Sequence, residues 1–171
     1  MEDEQTRYRT ILIDPPWKEA GGGRIKRGAD RHYPVLTTNK IIQVIGESDC
    51  FRPEPLGCHL YLWVTNNHLE DGLSVIRQLG FRYVTNLVWV KDRFGLGRYF
   101  RGQHELCLFS VMGRLMTLNR RTSTVLAEKK REHSRKPEMM YSIIENCSPP
   151  PRLEMFARRR REGWSSWGNE V

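Results

Sequence analysis

Asp14-Pro15-Pro16-Trp17 is the stretch of this 171-residue chain whose residue types and spacing most readily do chemistry. Each proline disfavours helical geometry in the residue before it, so Asp14 and Pro15 are held extended. Proline lacks an N–H and fixes its own φ, which stiffens the turn. The segment reads as a rigid edge offering acceptors only, the Asp14 carboxylate and adjacent backbone carbonyls, beside the flat face of Trp17. Acceptors next to an aromatic plate suit a planar group bearing an amine with two hydrogens, such as the exocyclic amine of adenine or cytosine. Its lone pair is delocalised into the ring and is a poor nucleophile. Acceptors that grip both hydrogens favour the pyramidal form required in a transition state. Asp14 could take the departing proton or only hold it, and its charge would offset that of a sulfonium methyl donor. Asp-Pro-Pro is also an ordinary turn former, so the reading depends on where the fold puts it.

The flanking patterns put it at the end of a strand. Tyr8 to Ile13 reads as a short strand running straight into Asp14. Thr37 or Thr38 can cap a helix carrying Ile41, Ile42 and Ile45. Leu60 to Val64 is a continuous apolar run, the pattern of a strand buried on both faces. Leu69, Leu73, Ile76 and Leu79 form the stripe of a following helix, with Gly80 as its stop. Phe81 to Val90, Glu105 to Val111 and a weaker Ser123 to Ala127 read as strands. Pro137 suits the first turn of a helix carrying Met140, Ile143 and Ile144, and Leu153 to Phe156 gives a last strand. Strands alternating with helices imply a single α/β domain over residues 1–171, a sheet flanked by helices. Ligands of such sheets bind beyond the C-terminal strand ends. Asp14 to Trp17, Thr65-Asn66, Lys91-Asp92 and the tail after Phe156 all fall at those exits.

Composition narrows the classes. With 39% hydrophobic and 28% charged residues the chain is globular rather than disordered. Its longest apolar runs are far too short to span a bilayer, and the acidic start Met1-Glu2-Asp3-Glu4 is unlike a secretory signal. Four cysteines without a C-x-x-C pair suggest reduced thiols and no metal site. The net charge is +8; residues 1–90 are balanced, so the whole excess lies in residues 91–171, the asymmetry of a face that meets a polyanion. The Gly-rich segment Lys18 to Arg31 holds five basic and two acidic residues. It is expected to close over a target strand and read flanking bases, with Arg24, Lys26 and Arg27 contacting the backbone. Arg159 and Arg160, in a basic run near the C-terminus, are further candidates for phosphate contact. Trp63 and Trp89 lie in apolar strands and read as core. Trp17 and Tyr33 lie on polar segments and suit stacking on an unpaired base. Lys136 precedes a helix, where a cation is disfavoured, and so calls for an anionic partner such as a donor's carboxylate.

The ordered series of motifs resembles the adenine methyltransferases related to the catalytic subunit of the messenger-RNA adenosine methyltransferase, and especially their short bacterial and phage members. The resemblance runs from Tyr8 to Trp17 through His32-Tyr33-Pro34, Leu60 to Asn66, Leu87 to Lys91, Gly95-Leu96-Gly97 and His104-Glu105. It continues with Ser134 to Glu138, Arg152 to Arg158 and Gly163-Trp164, and ends in Trp167-Gly168-Asn169-Glu170. It implies transfer of a methyl group from S-adenosylmethionine to the N6 amine of adenine in a nucleic acid, DNA favoured over RNA. It implies a Rossmann-like methyltransferase sheet with permuted motif order, the catalytic segment first and the donor-binding strand last. On this resemblance Asp14, Pro15 and Pro16 hold the amine and Trp17 shapes the pocket wall. Tyr33, Glu105 and Lys136 correspond to pocket residues, while Lys136, Phe156, Arg158, Asn169 and Glu170 correspond to donor contacts. A homodimer is one possible assembly, no membrane association is expected, and the cytoplasm of a bacterial or phage-infected cell is the expected location. Two alternatives stand beside this: the same chemistry on RNA, and a nucleic-acid-binding partner that has lost catalysis.

Overall fold

The computed structural model of the protein describes residues 6–18, 35–95, 97, 99–131 and 135–168. Seven strands form one sheet in the order β5-β3-β4-β2-β1-β6-β7. They are β1 (Thr10–Ile13), β2 (Gly57–Val64), β3 (Arg82–Val90), β4 (His104–Gly113), β5 (Val125–Ala127), β6 (Arg152–Met155) and β7 (Ser165–Trp167). Among the described residues the sheet is accompanied by helices α1 (Thr38–Gly46), α2 (Leu69–Gln78) and α3 (Glu138–Cys147) and by a 3-10 turn at Asn66–His68.

The alternation of side chains along β2 sets up two cores. All eight of its residues are buried. Leu60, Leu62 and Val64 join Ile41 and Ile45 of α1 and Val75 and Ile76 of α2 on one face. Tyr61 and Trp63 join Met140, Tyr141 and Ile144 of α3 on the other. Complete burial of each such side chain contributes roughly 1.5–3 kcal/mol, which is why the sheet is most firmly defined along β1 and β2. Thr37 is the N-cap of α1, its hydroxyl accepting from the Lys40 N–H at 3.4 Å. α2 ends ahead of Gly80.

Besides strand bounds that shift, β2 starting at Gly57 and β6 ending at Met155 ahead of Phe156, two features depart from the sequence expectation. The first strand is shorter: Tyr8 makes only an isolated bridge to Pro53, and regular pairing starts at Thr10. The added strand β7 pairs parallel to β6 from Ser165 to Trp167; three residues with no apolar alternation give periodicity nothing to detect.

Strand direction decides which residues meet. β1 is parallel to both β2 and β6, β6 to β7, and β3 to β5. β4 alone runs against its neighbours β2 and β3. Its beginning therefore lies at the edge where the other strands end. β1 sits between β2 and β6, so the first strand and the last long one leave the sheet side by side, the crevice at which open α/β sheets hold ligands.

Candidate active site

Asp14 follows β1 directly, and its N–H donates to the Met155 carbonyl of β6 at 3.4 Å. Its carboxylate Oδ1 is 3.0 Å from the Lys136 ammonium, which also lies 3.2 Å from Glu105 Oε2. Glu105 Oε1 in turn receives a short hydrogen bond from Lys91. The four side chains form an alternating chain of charge, Asp14–Lys136–Glu105–Lys91. Each comes from a different part of the fold: the exit of β1, the approach to α3, the start of β4 and the exit of β3.

The floor of this chain is aromatic. Lys136 Nζ stands 5.4 Å from the centre of the Trp63 ring and Lys91 Nζ 5.0 Å from that of Trp89, and the two rings meet edge to face at 6.3 Å. Both tryptophans are core residues, as their strands suggested, and they also give the cations an apolar and partly electrostatic bed. Burial alone would push the Glu105 carboxyl up; Lys136 and Lys91 overcome it and hold it at about 2. Burial opposes the charge on Lys136, yet Asp14 and Glu105 raise it above the ordinary lysine range. The anions that answer the placement of Lys136 are thus the protein's own. The α3 N-terminus is answered separately: the Glu128 carboxylate accepts from the Glu138 and Met139 N–H groups at 3.1 and 2.9 Å.

The proline edge is less bare than its sequence implies. The Pro15 carbonyl accepts from the Trp17 N–H at 2.9 Å, and the Pro16 carbonyl from the Leu36 N–H at 2.8 Å. The first bond is a local turn closed by the residue two positions on; the second is tertiary, because Trp17 pairs in parallel with Leu36. Each carbonyl has two lone pairs; one on each is spoken for. The Asp14 carboxylate, with 19% of its side chain exposed, is the group open to a ligand.

Trp17 corrects a second expectation. It is 5% exposed, donates from Nε1 to the Trp63 carbonyl at 2.9 Å, and stacks on His68 at 5.1 Å with the rings 15° apart. It braces the exit of β1 against that of β2 rather than offering a free face to a base. The basic run after β6 is also partly committed. Arg159 and Arg161 both pair with Glu138, and Arg131 lies 3.7 Å from the same carboxylate. Arg159 is therefore not the unencumbered phosphate contact its sequence context suggested. Arg160 is exposed and lines an open cavity of about 470 Å³ with Arg161, Glu162, Trp164 and Ser166. Tyr33, Arg24, Lys26, Arg27, Asn169 and Glu170 lie outside the described residues.

The exit of β6 has an unusual backbone. Phe156 adopts φ 59°, a left-handed conformation costly for a non-glycine residue. The returning chain crosses it closely: a Cβ on Gly168 would lie 2.3 Å from the Ala157 carbonyl oxygen and 2.7 Å from its nitrogen. Phe156 packs edge to face on Trp167, and Arg158 follows half-buried. Beside this turn Glu154 is 7% exposed. Its Oε1 accepts from the Tyr141 hydroxyl at 2.7 Å, while Oε2 is buried without a partner among the described residues. Burial, aided by the charge of Asp14, pushes this carboxyl up.

The family model described as MT-A70 matches residues 8–170. The chain belongs to the MT-A70 family. It is 35% identical to an N(6)-adenosine-methyltransferase MT-A70-like protein of Arabidopsis thaliana, over 96% of this chain and 24% of the plant protein. It is 32% identical to a probable N(6)-adenosine-methyltransferase MT-A70-like protein of Oryza sativa subsp. japonica, over 96% of this chain and 23% of that one. It is 26% identical to the type II methyltransferase M.MunI of a Mycoplasma species, over 96% of this chain and 78% of that protein. The chain spans about a quarter of the length of the plant relatives. The mixed seven-stranded sheet is consistent with the Rossmann-like methyltransferase fold.

MT-A70 methyltransferases depend on S-adenosylmethionine, and the residues present fit that molecule. The carboxylate of its amino-acid end carries the charge that Lys136, 15% exposed beside Asp14, offers to answer. The left-handed turn at Phe156, the close approach that Gly168 makes without a side chain, and the buried Glu154 oxygen that lacks a partner among the described residues lie at the exit of β6 beside that of β1. Sequence reasoning missed Glu154 and the bracing His68, and placed Lys91 at a strand exit without giving it a role. Lys91 alone had a signal, since it keeps the alternate-residue spacing of Trp89.

Proposed function

We propose that this chain transfers a methyl group from S-adenosylmethionine to the N6 amine of adenine in DNA. The observation that carries the proposal is the Asp14 carboxylate at the β1 exit, tied through one oxygen to Lys136 and still open to solvent. Bound S-adenosylmethionine supplies a methyl carbon made electrophilic by its sulfonium. The protein's part is orientation and charge. Asp14 and the remaining lone pair of the Pro15 carbonyl accept from the two amine hydrogens, which draws the nitrogen lone pair out of the purine ring. Asp14 holds the proton that the amine must lose. Lys136 and Glu105 fix the angle of that carboxylate, and Trp63 and Trp89 keep water from beneath it. A base in a duplex has to be flipped out, or presented unpaired, to reach the strand ends.

DNA is favoured because the Mycoplasma type II methyltransferase is matched over most of its length. RNA is the second reading, favoured by the higher identity to the N(6)-adenosine-methyltransferase-like proteins. Incubation with methyl-labelled donor and separate DNA and RNA strands, followed by nucleoside analysis, decides between them. Label in N6-methyldeoxyadenosine supports the proposal, label in N6-methyladenosine replaces DNA by RNA, and label in neither refutes the enzymatic reading.

A further inference from the structure

The connection between β3 and β4, residues 91–103, stays beside the site at both ends. The Lys91 N–H donates to the Gln103 carbonyl at 2.8 Å, and the Gln103 side chain returns a bond to the Lys91 carbonyl at 3.0 Å. Further out, the Gly95 N–H donates to the Gly102 carbonyl at 2.6 Å and Arg101 Nε to the Gly95 carbonyl at 2.7 Å. At Gly97 the backbone folds back so tightly that a Cβ would lie 1.7 Å from the Phe100 carbonyl oxygen. These bonds tie the described residues of the connection into a hairpin, and what those residues display is aromatic. Tyr99 and Phe100 are each 90% exposed and Phe94 67%. Among the described aromatic residues no other exceeds Tyr83, at 40%. The rings stand beside Arg93 and Arg101, both exposed; Arg93 Nε lies 3.6 Å from Asp92 Oδ2, and Asp92 also accepts from the Lys130 N–H.

We propose that this hairpin is a stacking platform for unpaired bases of the substrate strand next to the target base. The proposal rests on the reading of the chain as a nucleic-acid methyltransferase. Every base has a π-face, so exposed rings among guanidinium groups hold an unpaired strand with little sequence preference. The rings and the charge point to that partner together: an apolar protein surface would match the rings and leave the Arg101 charge, which among the described residues meets only the Gly95 carbonyl, unanswered. The platform begins at Lys91, which joins the charged chain ending on Asp14, so a base held there lies on the strand entering the site.

The test is binding of short single-stranded DNA and RNA to the full chain without methyl donor, by fluorescence anisotropy, beside an abasic strand of equal length and charge. Tyr99→Ala and Phe100→Ala are expected to weaken binding of base-bearing strands by about 10-fold per ring. They should leave the abasic strand and the melting temperature unchanged, and Phe100→Trp should restore affinity. Unchanged binding of base-bearing strands, or equal loss on both kinds of strand, overturns the platform. So does a loss of self-association with strand binding intact, which would make the hairpin a contact between copies of the chain. The methyl-transfer assay on unsubstituted protein separates the two readings. Transfer with ring-independent binding sinks the platform alone, whereas ring-dependent binding without transfer sinks only the enzymatic reading.

Discussion

The α3 face of the sheet carries two polar clusters, one near each end of β2, and they are built on opposite principles. Near the start of β2, His59 is fully buried, with Nδ1 2.7 Å from the Ser148 hydroxyl and Nε2 3.0 Å from the Leu115 carbonyl. The Tyr61 hydroxyl lies 2.8 Å from the same serine oxygen. A histidine beside a serine resembles the beginning of nucleophilic catalysis, yet both ring nitrogens are engaged and both residues are sealed from solvent. Burial lowers the His59 pKa and keeps the ring neutral. At the other end of β2 the groups are ionised, partly open, and next to a buried carboxyl oxygen with no partner. A buried polar group that is fully satisfied stiffens a fold; one left partly unsatisfied at a strand exit has capacity for a ligand.

Substitutions at the two ends should separate accordingly. The largest effect is expected from Asp14→Ala: turnover falls by roughly 10²–10⁴-fold with donor binding largely retained, read by labelled transfer and donor titration. Normal turnover would break the comparison at its active end. Lys136→Met leaves the Asp14 and Glu105 carboxylates facing each other without the intervening cation. It should cost about 2–3 kcal/mol of stability, less than full burial would give because the site keeps contact with water, and should weaken donor binding as well. Denaturant unfolding and titration check the two separately. Ser148→Ala, at the sealed end, should cost about 1–2 kcal/mol by orphaning His59 and Tyr61, while turnover per folded molecule stays constant. A drop in turnover there would mean the sealed cluster is not merely structural.

The smallest effect is one of pH. Lys136 and Lys91 hold the folded Glu105 carboxyl at about 2, below the ordinary glutamate value of 4.5. Its contribution is present above that upper value and is lost as the pH falls from about 4.5 toward about 2. Glu105→Gln should flatten the fall in melting temperature over that window, at the expense of some stability at neutral pH. An unaltered acid profile would show that Glu105 is not held by its lysines.

Much of the site was legible in local pattern. Asp14 at a strand exit followed from a short apolar run meeting two prolines, and the burial of Trp63 and Trp89 from the strands around them. Lys136 was singled out by the physics of a cation ahead of a helix, although the anions that answer it proved to be Asp14 and Glu105. Glu105 was reachable only through family resemblance: a carboxylate that opens a strand looks like surface until that strand is known to run backwards. Trp17 was misread because its neighbours are polar in sequence, while in space it lies between His68 and the Trp63 carbonyl. Arg159 looked free because Glu138 is 21 residues away along the chain.

Short-range sterics and hydropathy, read from the sequence, were enough to foresee the stiff Asp-Pro-Pro turn, the capped α1 and a β2 buried on both sides, because each depends on residues a few positions apart. The tertiary structure alone decided that β4 is antiparallel, that four charges from four segments align as a chain, and that the Pro16 carbonyl is shared with the Leu36 amide. Those outcomes depend on strand order and direction, which are set by contacts between residues distant in the chain.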